Sequence, residues 1–478
     1  MIEIQLAGAG AGKTFGMAEK IIQRFDPKSH KDIFAITYTN AAAENIADEL
    51  TKEIGFLPEN IKVCTVHTFL LNEIIYPYSP SILNQVYTTS TRCTLSFSSQ
   101  YDKPIATEKL RKERAFIIKK LKSKKVIHVE DVYAVARKIV DPAHSAHNTK
   151  AKKAKIGIIH NLLTSSIDKI FIDEAQDFDE TALKVFKAIG VNAVDIYMVG
   201  DPKQAIKHPR KLEEFIDENY RNNQIVLLEP NNTSRRVPKN ILELSNQFCP
   251  SGQEQTSLSD IEGRLNYIVS SDDGYDDFIT GCLETKNLVS IYQKCGDYST
   301  RSTDTMPDLH PDVNELLIEH NRDIDKDLVL GAAGHWLATN ITQYSQQTVI
   351  IRFIKIFNIP HSKKTYAQLC DTIHRYDSSI ANTGKYHISS ITRTKGLESD
   401  MSVLVLTQGI YKYLMKDKVE PNNEYNKTWN MVYVALTRSK SELVIAIDEA
   451  LFTGKPSVSD VIKGIEALGF ERFDLRKV

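Results

Sequence analysis

The stretch AGAGAGKT, Ala7–Thr14, follows the apolar alternation Ile2, Ile4, Leu6 and precedes Ala18, Ile21, Ile22 and Phe25, which recur at helical spacing. A strand, a glycine-rich turn and a helix in that order have a physical purpose. Gly8, Gly10 and Gly12 let backbone N–H groups curl around phosphate oxygens, and the helix that follows turns its free donors and positive dipole end to the same point. In such a cradle Lys13 reaches the terminal phosphates of a nucleotide and Thr14 holds Mg²⁺. Ala7 stands where this pattern usually has glycine.

Strand-and-helix units continue outward from this turn. Ile33–Ile36 reads as a strand ending at Thr37-Tyr38-Thr39-Asn40, with a helix from Ala41; VCTVHTF, Val63–Phe69, reads as a third unit with His67 at its edge. In DKIFIDEAQDFDE, Ile170–Ile172 forms a short buried strand with Asp173 and Glu174 at its end. After a phosphate loop that pattern suits Mg²⁺-dependent nucleotide hydrolysis, one carboxylate facing the metal and the next the attacking water. The strand Ile196–Val199 runs into GDPKQAI, where Gln204 is placed to sense a γ-phosphate or orient water. IVLLEPNNTSRRVPKNILELSNQF supplies a strand, Arg235 and Arg236, and a helix beginning near Pro238. Towards the end of the chain, YHISSITRTKGLESDMSVLVLTQG gives two strands flanking Thr392–Asp400. NMVYVALTRSKSELVIAID gives a helix ending at Thr437-Arg438 and the strand Leu443–Ile447. An α/β fold of parallel sheets flanked by helices is the expected result.

Composition narrows the class. The 478 residues carry 42% hydrophobic and 25% charged side chains, as in an ordinary globular protein of two or three domains, and exclude a disordered or fibrous chain. No apolar run is long enough to span a membrane, and a strand and phosphate loop occupy the positions of a signal peptide, so the expected location is cytoplasmic with no membrane partner. Cys64, Cys93, Cys249, Cys282, Cys295 and Cys370 contain no C-x-x-C pair, which argues against zinc and a disulfide framework. The net charge is −1, yet residues 103–155 are strongly basic, with Lys103, Lys109, Arg111, Lys112, Arg114, Lys119, Lys120, Lys122, Lys124, Lys125, Lys150, Lys152, Lys153 and Lys155. By itself this stretch is either a nucleic-acid patch or a solvated helical face.

In order, AGAGAGKT, TYTNAAAENI, TVHTF, IDEAQD, VGDPKQAI, SRRVP, TRTKGLES and YVALTRSKSEL resemble superfamily 1 helicases of the UvrD/Rep type. The resemblance implies two RecA-like P-loop domains, residues 1–76 with 156–230 and 231–298 with 385–478. It implies a basic helical insertion at 77–155 and a reduced helical insertion at 299–384. ATP would lie between the domains, held by Ala7, Gly8, Ala9, Gly10, Ala11, Gly12, Lys13 and Thr14, with Glu398 on the ribose. Mg²⁺ would be held by Thr14 and Asp173, Glu174 would activate water, and Gln204, Arg236 and Arg438 would touch the γ-phosphate. Single-stranded DNA would cross Tyr38, Thr39, Asn40 and His67, then Thr392 and Thr394, and the basic insertion gains a nucleic-acid role. A small-molecule kinase would use the first motif but leave the second half of the chain unexplained.

Departures qualify the expectation. Only six residues precede Ala7, where the family has an adenine-reading glutamine segment, so base selectivity is expected to be loose or supplied from elsewhere. GDPKQ continues as Ala205-Ile206-Lys207-His208-Pro209-Arg210 rather than with aromatics and Trp-Arg-Gly, which removes a base-stacking platform. A narrower resemblance, to the helicase-like subunits of Gabija anti-phage systems, implies an OLD-type ATPase–TOPRIM nuclease subunit as partner. The alternatives are a DNA-translocating ATPase, of 3′ to 5′ polarity, and a regulatory NTPase that senses DNA and activates that nuclease without unwinding.

Overall fold

The computed structural model describes residues 1–87, 115, 118–119, 121–123, 125–146, 149–285, 287–300, 307, 309–341, 343–380, 384–416 and 426–474. Cys93 and, of the basic stretch, Lys103, Lys109, Arg111, Lys112, Arg114, Lys120 and Lys124 lie outside the described residues. The chain divides into two compact units, the smaller holding the described residues between 293 and 388.

The larger unit contains two six-stranded sheets, all of whose pairings are parallel. The first comprises β1 (Ile2–Leu6), β2 (Asp32–Thr37), β3 (Ile61–Thr65), β4 (Ile167–Ile172), β5 (Asp195–Gly200) and β6 (Val226–Leu227), in the order β3-β2-β4-β5-β1-β6. After the two-residue strands β7 (Thr233–Ser234) and β8 (Thr256–Ser257), the chain builds the second sheet. Its strands are β9 (Arg264–Val269), β10 (Leu288–Ile291), β13 (Ser389–Ser390), β14 (Ser399–Val405), β15 (Ser439–Ile447) and β16 (Glu471–Arg472), in the order β13-β10-β14-β15-β9-β16. The central strands are apolar on both faces, as sheets covered by helices on each side require: Ile170, Phe171, Ile172, Ile196, Met198 and Val444 are all buried. This is the α/β architecture that the strand–helix alternation predicts.

Register brings the functional ends together. Ile36 lies opposite Ile172 and Ile172 opposite Met198, so β2, β4 and β5 finish on one edge of the sheet. Ligand contacts in open parallel sheets gather at such carboxyl ends.

Two local details stand out. In the third unit, Val63–Phe69, the strand stops at Thr65, whose Oγ1 accepts the Thr68 N–H at 3.3 Å and caps a helical turn, Val66–Phe69, that continues into a π-helix, Leu70–Ile75. His67 therefore sits on a helical turn. The strand expected at IVLLE shrinks to Val226–Leu227, an exposed edge pair bonded to β1 alone and followed by Glu229-Pro230.

The smaller unit is a helical bundle, Pro311–His320, Lys326–Ile341, Gln346–Ile356 and Lys363–Ile380, around Val313, Leu317, Leu337, Ile350, Phe353 and Leu369. Its own strands β11 (Tyr298–Ser299) and β12 (Tyr386–His387) pair in parallel. Among the described residues no helix is long and apolar enough to cross a membrane.

One buried carboxylate in the larger unit offers a stability test. Neither oxygen of Glu213 has a hydrogen-bond partner among the described residues, and burial, with Asp201 adding to it, pushes its carboxyl up from 4.5 to about 7. The folded chain thus holds this proton more tightly than the unfolded chain, and stability falls as pH rises from 4.5 through about 7. Glu213→Gln, which stays neutral, is expected to melt higher than the parent at pH 8 by an equivalent of ~1–3 kcal/mol and to differ little at pH 5. Thermal denaturation at the two pH values checks this.

Candidate nucleotide site

The loop Ala7–Gly12 joins β1 to the helix Lys13–Arg24. Gly10 and Gly12 take φ of 71° and 73°, the left-handed region where a side chain is strained. Gly12 is the N-cap and no side chain caps this helix, which leaves its first N–H donors for a ligand. Lys13 Nζ donates to the Gly8 carbonyl at 3.3 Å.

At the end of β4, Asp173 Oδ2 accepts from Thr14 Oγ1 at 2.9 Å, and its Oδ1 accepts from the Glu174 N–H at 2.8 Å. Burial, reinforced by Glu174, pushes the Asp173 carboxyl up to about 6. Burial pushes Glu174 the same way, but Lys395 and Lys13 outweigh it and hold that carboxyl below its ordinary range. Adjacent carboxylates are thus set apart, Asp173 holding its proton more tightly than Glu174. Glu174 has φ 57°, left-handed for a non-glycine residue. Gln176 Nε2 donates to Glu174 Oε2, and Gln176 Oε1 accepts the Asp201 N–H at 3.0 Å. Lys395 Nζ lies 2.6 Å from Asp177 Oδ1 and 3.8 Å from Glu174 Oε2.

The opposite wall is cationic. Arg438, 3% exposed, is anchored by its Nε to the Val434 carbonyl at 3.0 Å and reaches Gln204 Oε1 with Nη2 at 3.3 Å. Burial, with Arg236 nearby, lowers its guanidinium to about 10. Gln204 donates to Asp201 Oδ2 at 2.8 Å. Arg236 donates to Glu398 Oε2 at 2.8 Å and to the Thr437 carbonyl at 3.1 Å, while Lys440 Nζ meets Glu398 Oε1 at 2.8 Å. Burial raises Glu398, but Lys440 and Arg236 bring it below the usual range.

These groups line one cleft of ≈ 860 Å³, which Gly10, Ala11, Gly12, Lys13, Thr14, Glu174, Gln204, Arg235, Arg236, Glu398 and Arg438 share. Ala7, Gly8 and Ala9 stand behind its wall. The Ala7 N–H bonds Gly200 O at 3.0 Å, the Gly8 N–H bonds Asn231 O at 3.1 Å, and the Ala9 N–H bonds Gln255. The hydroxyl of Thr14 and the carboxylate of Asp173 are hard oxygen donors of the kind that hold Mg²⁺ beside nucleotide phosphates, so the donor set fits that ion.

The residues expected along a DNA track are spread more widely. Tyr38 carries Lys207 Nζ 4.0 Å from its ring centroid, and His67 stacks on Tyr133 at 5.1 Å; they follow the neighbouring strands β2 and β3. Asn40 is exposed, as is Thr39, whose Oγ1 caps the helix Asn40–Ile54. Thr392 is exposed with its hydroxyl 2.8 Å from Ser390 Oγ, whereas Thr394 is fully buried and donates to the Ile391 carbonyl at 2.9 Å. Thr394 shapes its loop from inside and presents no hydroxyl to a ligand. Ala205 and Ile206 are buried, and the Ala205 carbonyl accepts from Asn430 Nδ2 at 2.8 Å.

Several groups at the cleft escaped the sequence reading. Lys395, Gln176 and Tyr433 lie inside the quoted motifs TRTKGLES, IDEAQD and YVALTRSKSEL, so their positions were marked and their contacts were not. Gln255 lies in no motif, and nothing in its neighbourhood signals it.

The family described as AAA domain matches residues 2–210. The Gabija protein GajB of Bacillus cereus (strain VD045) is 22% identical over 505 aligned residues, covering 94% of this chain and 93% of that protein. A probable DNA helicase II homolog of Mycoplasma capricolum subsp. capricolum is 23% identical over 289 residues, 51% of this chain and 38% of that one. A solved complex of arterivirus nonstructural protein 10 (helicase) with DNA aligns with 96% of this chain and 62% of that one at 12% identity, with a TM-score of 0.35, too low to bear on the fold. With an AAA domain matched over residues 2–210 and similarity to GajB running almost end to end, the chain is an ATP-hydrolysing, helicase-like enzyme.

Proposed function

We propose that the chain hydrolyses ATP in the cleft between its two sheets while bound to single-stranded DNA or DNA ends. The observation that carries this reading is the meeting, in one cleft, of Thr14, Lys13 and Glu174 from the first sheet with Arg236 and Arg438 from the second half of the chain. Lys13 and the uncapped helix end bind the phosphates, while Thr14 and Asp173 would hold Mg²⁺, which would supply neutralising charge for the phosphate oxygens. Glu174, kept ionised, accepts the proton of the attacking water as the bond to the leaving phosphate breaks. Gln204 orients the water, Arg236 and Arg438 stabilise the charge that develops, and Glu398 takes the ribose once its cationic partners turn to the nucleotide.

In this reading residues 1–76 with 156–230 and 231–298 with 385–478 work as two RecA-like domains, with insertions at 77–155 and 299–384. DNA crosses Tyr38, Thr39, Asn40, His67 and Thr392, with 3′ to 5′ polarity, and the basic insertion adds phosphate contacts. Similarity to GajB supports a part in anti-phage defence, in the cytoplasm, beside an ATPase–TOPRIM nuclease subunit.

A second reading, a DNA-sensing regulatory NTPase that activates such a nuclease without unwinding, is favoured by the burial of Ala205 and Ile206, which leaves no stacking ring directly after Gln204. ATPase and strand-displacement assays run side by side, with and without single-stranded DNA, decide between them. DNA-stimulated hydrolysis with displacement supports translocation, hydrolysis without displacement selects the regulatory role, and hydrolysis indifferent to DNA rejects both. Because the contacts are to phosphates, DNA affinity is expected to fall by about ten-fold or more between 50 and 200 mM salt. Titration by fluorescence anisotropy measures it, and a flat response removes the basic insertion from the interface.

A further inference from the structure

Ala9 is wholly buried, yet neither polar atom of its backbone is satisfied within the phosphate loop. Its N–H donates to Gln255 Oε1 at 3.1 Å and its carbonyl accepts from Gln255 Nε2 at 3.0 Å, a two-point grip across 246 residues of sequence. Only glycine at position 8 permits this approach, because a Cβ there would fall within the Gln255 amide. The Tyr433 hydroxyl completes the grip: it donates to Gln255 Oε1 at 2.5 Å, accepts from the Ala9 N–H at 3.2 Å and lies 3.4 Å from Asp201 Oδ2. One helical turn on, Thr437 Oγ1 donates to the Tyr433 carbonyl at 2.9 Å and accepts from Arg438 Nη2 at 3.1 Å, and the Thr437 carbonyl receives Arg236. A continuous set of hydrogen bonds thus runs from the crown of the phosphate loop to both arginines of the opposite wall.

We propose that Gln255 is a positioning residue for ATP hydrolysis, which clasps Ala9 and, through Tyr433, fixes Arg236 and Arg438 relative to the phosphate loop. Lys13 and the N-terminal helix end, which bind phosphate, lie outside the clasp, so Gln255 sets turnover and leaves diphosphate binding to them. The proposal rests on the reading of this cleft as the ATP site.

Full-length Gln255→Ala, Gln255→Glu and Tyr433→Phe are compared with the parent chain for ATP turnover, ADP affinity and melting temperature, beside Lys13→Ala. Gln255→Ala is expected to lose about ten-fold or more in kcat with ADP affinity held within about three-fold, the cost of one buried polar partner. Tyr433→Phe, which keeps the ring, is expected to lose kcat in the same direction. Gln255→Glu supplies the discriminating readout. Its protonated acid can accept from the Ala9 N–H and donate to the Ala9 carbonyl as the amide does, so turnover relative to the parent should recover as pH is lowered from 8 to 6. The charged groups near this position, Asp201, Lys203 and Arg438, act on its partner Tyr433.

Turnover of Gln255→Ala within about two-fold of the parent, in a chain that Lys13→Ala silences, overturns the clasp alone. Parallel losses of kcat, ADP affinity and melting temperature overturn it as well, since they mark a merely structural role. Normal turnover in Lys13→Ala removes the ATP-site reading on which it rests.

Discussion

Lys13→Ala is expected to abolish ATP turnover, by about 10³-fold or more, without unfolding the chain. The lysine is half-buried and, among the described residues, its ammonium makes one hydrogen bond, to the Gly8 carbonyl at 3.3 Å, whose loss costs the fold on the order of 1 kcal/mol, beside the loss of a cation near Glu174. What it removes is the cation that meets the terminal phosphates at the mouth of the loop. Coupled-enzyme measurement of phosphate release, with circular dichroism as the control for folding, tests this. Turnover close to that of the parent would place the chemistry elsewhere.

Arg438→Ala is expected to lower kcat by about 10³-fold while changing ATP affinity only a few-fold, as befits a cation whose charge complements the transition state more than the ground state. Its side chain is held from behind by the Val434 carbonyl and points its other end at Gln204, which fixes the direction of its charge into the cleft. Arg438→Lys should not restore turnover, because an ammonium cannot keep the rear anchor and reach forward together. Pre-steady-state binding of a fluorescent nucleotide separates affinity from turnover. Equal losses in both would make Arg438 a binding residue instead.

Both variants sit in residues that the sequence announces, and the reason is local. Lys13, Thr14, Asp173, Glu174, Gln204 and Arg438 each follow a strand or end a helix, where the change from apolar periodicity to polar residues is visible within a dozen positions. Parallel pairing was legible for the same reason: strands alternate with helices long enough to cross back over a sheet. Contacts made across the fold were not legible. Lys395 reaches Asp177 over 218 residues and Gln255 reaches Ala9 over 246, and no periodicity encodes which buried amide finds which backbone group. Where the strand before His67 ends was not legible, because Thr65 can continue a strand or cap a helix, and the choice depends on what packs against it. Thr394 is a DNA contact only as the family resemblance implies, while the fold spends that hydroxyl on the Ile391 carbonyl.

The backbone at Glu174 has an evolutionary corollary. A glutamate in left-handed geometry costs the native state on the order of 1–3 kcal/mol relative to a residue suited to that position. Glycine would relieve the conformational penalty, at the loss of a carboxylate that Lys395 and Lys13 stabilise. Mutagenized libraries of this chain screened for heat resistance alone should therefore drift toward glycine at position 174, and libraries screened for ATP consumption should never do so. Opposite drift under the two selections would separate what the fold tolerates there from what the chemistry demands.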